Sequence, residues 1–177
     1  IQKDKRTQEK IFDVVYEPLK DDRGNVTSII VLASDVTDQI TQKNALEKVN
    51  RQLEIALHAG QLGTFNLHIP SGKMESSAQC RKSFGLKESD PFDYADFLSR
   101  ILPEFKETVM VKVHDAIENK KLYQAEYMIC WPDDSKHWIS AAGLPTYDTE
   151  GNPESLIGIT QNITERKAAE TQKDDFL

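Results

Sequence analysis

The chain has 177 residues, 38% hydrophobic and 29% charged, with a net charge of −7 and a pI near 5.1. That balance belongs to folded, soluble chains rather than disordered ones, and its acidity excludes nucleic acid or an anionic membrane as the main partner. The longest apolar run, Ile29 to Ala33, is too short to cross a bilayer. No secretory leader is visible, and a chain opening on Ile1 is expected to be a piece of a longer one. Cys80 and Cys130 are the only cysteines and lack C-x-x-C spacing, the pattern of two reduced thiols in a cytoplasmic protein.

In chain order, the first elements are two apolar runs around a turn at Gly24-Asn25, ending in "SIIVLASDVTDQ" from Ser28 to Gln39. The same order recurs later without a gap. Ser155 lies 127 positions after Ser28, and the same interval separates Pro145 from Pro18, Gly151-Asn152 from Gly24-Asn25, and Thr164 from Thr37. Each copy reads strand, turn, strand, threonine, helix, and the fixed period marks an internal repeat. Gly and Asn suit the reversals because they tolerate positive φ.

The first helix is predicted over Asp38 to Ala59, where Leu46, Val49, Leu53 and Ala56 follow the 3-4-3 spacing of a coiled-coil seam. Thr37 and Thr164 are each expected to cap the following helix, with Asp38 and Glu165 at its positive end. "GTFNLHIP" (Gly63 to Pro70) alternates Phe65, Leu67 and Ile69 as a half-buried strand, turns at Pro70-Ser71-Gly72, and returns through Met74. Short helices are predicted over Ala78–Phe84, ended by Gly85, and over Tyr94–Leu102. Pro103 opens an amphipathic helix with Phe105, Val109, Val113, Ala116 and Ile117 on one face. Tyr123, Ala125, Tyr127, Ile129 and Trp131 alternate along a strand that turns at Pro132-Asp133-Asp134 and returns through "KHWISAAGL". A last strand follows Ser155, and a final helix runs from Glu165 through Ala169, Gln172 and Phe176. The sum is an α+β domain: an antiparallel sheet of about five strands with helices on one face, flanked by amphipathic helices.

The stretch "AEYMICWPDDSKHWISAAGLPTYDTEGNPESLIGITQNITERK" resembles the last three strands and exit helix of PAS domains, their C-terminal PAC motif. The match rests on Glu126-Tyr127, Asp133-Asp134, Trp138-Ile139, Gly143, Pro145, Asp148, Gly151, Leu156-Ile157-Gly158 and Ile163-Thr164-Glu165-Arg166. Two positions depart from the pattern. Asn162 stands where Asp is usual, although the first copy keeps Asp35-Val36-Thr37, and Met128 stands where Arg is common. The resemblance divides the chain into a remnant of a preceding PAS domain (1–38), a connecting coiled-coil helix (39–59), a complete PAS domain (60–164) and an exit helix (165–177). The remnant, Phe12 to Ser34, is expected to be poorly ordered or packed on another surface, because a lone hairpin is marginal in water. "ETQKDDFL" is similar to the Lys-x-x-Phe-Leu segment before the phosphoacceptor histidine of sensor histidine kinases, and none of His58, His68, His114 or His137 has that context.

By alternation, the sheet face toward the helices carries Tyr127, Ile129, Ile139, Ala141, Gly143, Gly158 and Thr160, joined by Phe65, Leu67, Phe84 and Phe97. The small residues leave room for a small apolar ligand; they equally allow helices to pack close, which is the default of interiors. No cofactor is expected. "SAQCRKSFG" around Cys80 shares only Cys-Arg with the Asn-Cys-Arg-Phe-Leu-Gln motif of flavin-binding PAS domains. Haem needs an axial histidine, and His114 lies off the apolar face of its helix; the four histidines have no metal-ligand spacing.

The resemblance implies a non-catalytic sensory and dimerisation module of a two-component sensor histidine kinase, homodimeric through its coiled-coil helices and PAS sheet. The downstream kinase core is its partner, the location is cytoplasmic, and this segment touches neither nucleic acid nor membrane. Signal transmission is assigned to the junctions at Asp35, Thr37, Asn162 and Thr164. The alternative is a small-molecule receptor controlling another effector, such as a cyclic-dinucleotide enzyme. No nucleophile–base pair, phosphate loop or carboxylate constellation marks the segment itself as an enzyme.

Overall fold

The computed structural model describes residues 9–174. The chain divides into two compact units, Ile1–Ile55 and Ala56–Leu177. In the first, β1 (Phe12–Lys20) and β2 (Val26–Asp35) pair antiparallel, Phe12 opposite Asp35 and Leu19 opposite Ser28, with an irregularity between Leu19 and Lys20. Helix α1 (Thr37–Ala59) follows and buries none of its residues. Phe12–Ser34 thus forms a paired hairpin whose apolar side chains, Val14, Tyr16, Ile29 and Val31 among them, are all exposed.

The second unit holds β3 (Gly63–His68), β4 (Lys73–Ser76), α2 (Ala78–Ser83), α3 (Tyr94–Arg100), α4 (Pro103–Glu118), β5 (Tyr123–Cys130), β6 (Lys136–Tyr147), β7 (Pro153–Asn162) and α5 (Thr164–Asp174). Its antiparallel sheet runs β4-β3-β7-β6-β5, so the last strand lies at the centre between the first strand and its own hairpin partner. The strict alternation of β5, with Tyr123, Ala125, Tyr127 and Ile129 buried, turns one face of the sheet toward α2, α3 and α4.

The repeat is reproduced in register and in its turn bonds. Ile139 faces Asn162 as Phe12 faces Asp35, and the ladder of β6 and β7 is irregular after Thr146 as that of β1 and β2 is after Leu19. At the turns, Asp21 accepts the N–H groups of Arg23 and Asn25 at 2.9 Å, and Asp148 accepts those of Glu150 and Asn152 at 2.9 Å.

One expected boundary moves. α3 ends at Arg100 rather than Leu102, because Ile101 bridges to Ile129 and Leu102 donates its N–H to the Met128 carbonyl. Competition from the sheet stops the helix two residues early. Phe176 and Leu177, the end of the Lys-x-x-Phe-Leu match, lie outside the described residues.

Candidate functional site

Two features of the second unit have functional geometry: a cavity between sheet and helices, and the junction where β7 becomes α5. The cavity is lined by Phe65, Leu67, Met74, Cys80, Phe84, Phe92, Tyr94, Phe97, Val113, Tyr123, Tyr127, Ala141, Leu156 and Thr160. Its volume is about 30 Å³, against ~300 Å³ or more for a small-molecule site. The rings fill the space between the layers: Phe84 stands 5.0 Å from Phe92 and 5.9 Å from Phe97, which meets Tyr127 edge-on at 6.0 Å.

Of the residues singled out for this face, Phe65, Leu67, Phe84, Phe97, Tyr127, Ala141 and Thr160 meet around the cavity. Ile129 and Ile139 lie away from it, wholly buried in the same core. Gly143 is roofed by Phe65, whose Cζ is 3.4 Å from where a Cβ would stand, and at Gly158 the same atom would be 2.6 Å away. The small residues of β6 and β7 therefore make a bed for one ring rather than an open pocket. Met74, Phe92 and Tyr94 were not expected at the cavity: Met74 lies on a four-residue strand, Phe92 in a loop and Tyr94 at the first position of α3, where no period marks a buried face. Tyr123, Val113 and Leu156 were legible as buried positions, but nothing local told which buried positions border a void.

The lining is neutral. Burial pushes the Cys80 thiol up and the Tyr123 and Tyr127 hydroxyls well up, so none ionises near neutral pH. The hydroxyls of Tyr123, Tyr127 and Thr160 are buried without a hydrogen bond of normal geometry, although Tyr123 lies beside Tyr127 and Thr160 beside Cys80.

At the junction, Asn162 Oδ1 accepts the N–H and the hydroxyl of Thr164 at 3.0 and 2.6 Å, and Thr164 Oγ1 accepts the N–H of Trp138 at 2.9 Å. The first copy has the same set. Asp35 Oδ1 accepts the N–H and hydroxyl of Thr37 at 3.1 and 2.6 Å, and Thr37 Oγ1 accepts the N–H of Ile11 at 2.9 Å. The expected capping role of the threonines is thus corrected. Each starts its helix, with its amide capped by the Asp or Asn two residues before, and spends its own oxygen on the neighbouring strand. The geometry demands this, because the threonine stands where the hairpin partner still presents a free N–H. Replacing Thr164 with valine keeps the shape and orphans the Trp138 amide; urea unfolding is expected to show a loss of about 1–3 kcal/mol.

A second bond set crosses from α5 to the sheet. Glu126 on β5 receives Arg166 Nη2 at 2.6 Å and Lys167 Nζ at 2.7 Å, and Lys167 also lies 5.3 Å from the Trp138 ring centre. Lys167 and Arg166 hold the Glu126 carboxyl below its usual range. The departures at Met128 and Asn162 therefore do not remove a strand-to-helix ion pair; Glu126, one of the matched motif positions, supplies it. Leu46, Val49, Leu53 and Ala56 stand together along α1, the first three more than half exposed at 62%, 59% and 55%.

Comparison with known proteins gives this geometry its context. A family model described as PAS fold matches residues 73–160. A blue-light-activated histidine kinase of Brucella ovis is 28% identical over 167 residues, 88% of this chain and 33% of that protein. The chain thus spans about a third of the length of the curated relatives it matches. A sensory box histidine kinase/response regulator from Burkholderia thailandensis superposes with a TM-score of 0.62 at 20% identity, over 70% of this chain and 92% of that one. A light-oxygen-voltage domain with a flavin analogue superposes with a TM-score of 0.51 at 20% identity, over 70% and 93%. These names bring flavin into question again, against the expectation from Cys80. As packed, a cavity of about 30 Å³ does not admit a three-ring isoalloxazine. Among the described residues, its lining also has no side-chain amide to meet the alternating donors and acceptors of such a ring edge. The five-stranded unit, with its central last strand and its threonine-started exit helix, has the PAS fold.

Proposed function

We propose that this chain is a sensory and relay segment of a histidine kinase, passing a change in the PAS core outward through helices. The observation that carries the reading is the match along 88% of the chain to proteins named histidine kinases. It is supported by the anchoring of α5 to the sheet through Asn162, Thr164 and Glu126. In this reading residues 1–38 close an earlier copy of the domain, 39–59 connect the copies, 60–164 form the sensor, and 165–177 lead toward a kinase core. The exposed apolar faces of β1 and β2 fit a hairpin whose covering half lies elsewhere in the parent. The setting is cytoplasmic, which agrees with the reduced cysteines; no helix among the described residues is long and apolar enough to cross a membrane. The kinase names favour this over control of a cyclic-dinucleotide enzyme.

The seam at Leu46, Val49, Leu53 and Ala56 is the dimer contact in this reading, a parallel pairing of α1 helices that would bury the exposed stripe. Sedimentation of the chain is expected to show a dimer, and Leu46→Asp with Leu53→Asp is expected to give a folded monomer. Unchanged sedimentation of that variant would refute the seam. The core is read as a relay packed on itself rather than a chromophore site. Protein refolded with excess flavin mononucleotide is expected to show no bound visible absorbance after gel filtration; stoichiometric yellow protein would reverse this.

A further inference from the structure

We propose that the exit junction is a proton-operated latch: a second proton on His137 breaks its bond to Asn162 and loosens the hold of Asn162 on α5. The hydrogen bonds around His137 run in one direction only. Asp133 Oδ1 accepts the N–H of Ser135 at 3.0 Å and its hydroxyl at 2.5 Å, and these bonds hold the carboxyl ionised, below its usual range. The hydroxyl proton of Ser135 is thus committed to the carboxylate. Its oxygen, 2.8 Å from His137 Nε2, can only accept. A neutral ring must then carry its proton on Nε2, leaving Nδ1 as an acceptor facing Asn162 Nδ2 at 3.4 Å. The amide of Asn162 is oriented by its other end, which already takes both donors of Thr164. With a neutral imidazole, every group from Asp133 to Trp138 N–H is satisfied.

Protonation of Nδ1 sets a donor against a donor. The ring is held on its far side by Ser135 and lies stacked on Trp131, centroids 3.7 Å apart at 17°. That aromatic face attracts a cation more than a neutral ring. The amide cannot turn over without giving up both Thr164 donors. Asn162 therefore yields, and with it the capped start of α5.

Asp133, on the turn, is the charge that bears on the ring and favours its protonation; burial opposes and outweighs it, so His137 sits below its ordinary value. Arg166 and Lys167 on α5 are engaged by Glu126. Lys136 points to the opposite face of β6 by strand alternation, and Phe105 of α4 presents an apolar edge to neighbouring Trp138. Because the folded value lies below the unfolded one, the stability contributed by the neutral ring is present above about pH 6.5. It is lost as pH falls from there through the folded value. The first copy fills the same two places with Lys10 and Asp35, an ion pair at 2.8 Å with Asp35 lowered to about 2, and so does not titrate in this range.

The test is nitrogen NMR of the whole chain across mildly acidic pH. The ring is expected as the Nε2–H tautomer at neutral pH. Protection of the Thr164 and Trp138 amides, corrected for intrinsic exchange, is expected to fall about three- to ten-fold as His137 protonates, the loss of one hydrogen bond. His137→Lys with Asn162→Asp, the pair of the first copy, is expected to remove that pH response, as is the single variant His137→Gln, which serves should the double variant fail to fold. A proton on Nδ1 at neutral pH, amides indifferent to the ring, or a response that survives His137→Gln would overturn the latch.

Discussion

Replacing Phe84 with alanine is expected to destabilise the PAS unit by about 3–5 kcal/mol, the cost of deleting a fully buried ring. Phe84 is 1% exposed at the end of α2 and packs against Phe92 and Phe97, which come from a loop and from α3. Those neighbours have their own anchors. Asp93 and Asp96 cap α3 reciprocally, and Trp131 Nε1 donates to the Ser83 carbonyl at 3.1 Å, fixing the end of α2. The walls therefore cannot close, and the lost ring joins its space to the existing cavity of about 30 Å³. Apolar cavities of that origin bind small aromatic molecules. Indole is expected to raise the melting temperature of Phe84→Ala and leave the parent unchanged. An indole shift of equal size in the parent would show that the native cavity already opens, and would return the ligand-receptor alternative to favour.

Gly63→Ala is expected to cost about 3 kcal/mol or more, at the high end for inserting a single methyl group. A Cβ at Gly63 would stand 2.3 Å from both Cα and N of Cys80, backbone atoms that no rotamer change can move. Retreat of α2 is blocked as well, since the Thr64 N–H donates to Ser77 Oγ and the Ser77 N–H to the Thr64 carbonyl, both at 2.9 Å. The first residue of the sheet and the first turn of α2 are thus clamped across one methyl-sized gap. Urea unfolding of Gly63→Ala measures the loss. A change below about 1 kcal/mol would mean that α2 rides loosely on β3.

The alternation Tyr123, Ala125, Tyr127, Ile129 specified both the strand and its buried face, because side-chain direction along a strand has a period of two whatever lies beside it. The repeat went further. Its gapless interval of 127 implied that both hairpins share one register, and the structure pairs Phe12 with Asp35 as it pairs Ile139 with Asn162. Both signals are local: they depend on residues near in sequence and on turn chemistry that Asp21 and Asp148 supply by themselves.

What tertiary structure decided is of another kind. Whether Gly143 and Gly158 open a pocket depended on Phe65, brought across from β3 only when that strand pairs with β7. The work of Thr37 and Thr164 depended on a free N–H 26 positions earlier, at Ile11 just before β1 and at Trp138 in β6, so a hydroxyl legible as a helix cap serves as an anchor to the hairpin instead. His137 acquired meaning only beside Asn162, through the ladder of β6 and β7. Periodicity tells a side chain which way to face. Which atoms it then meets is set by the stacking of elements distant in the chain, and the space left over is a small difference between large, closely packed volumes.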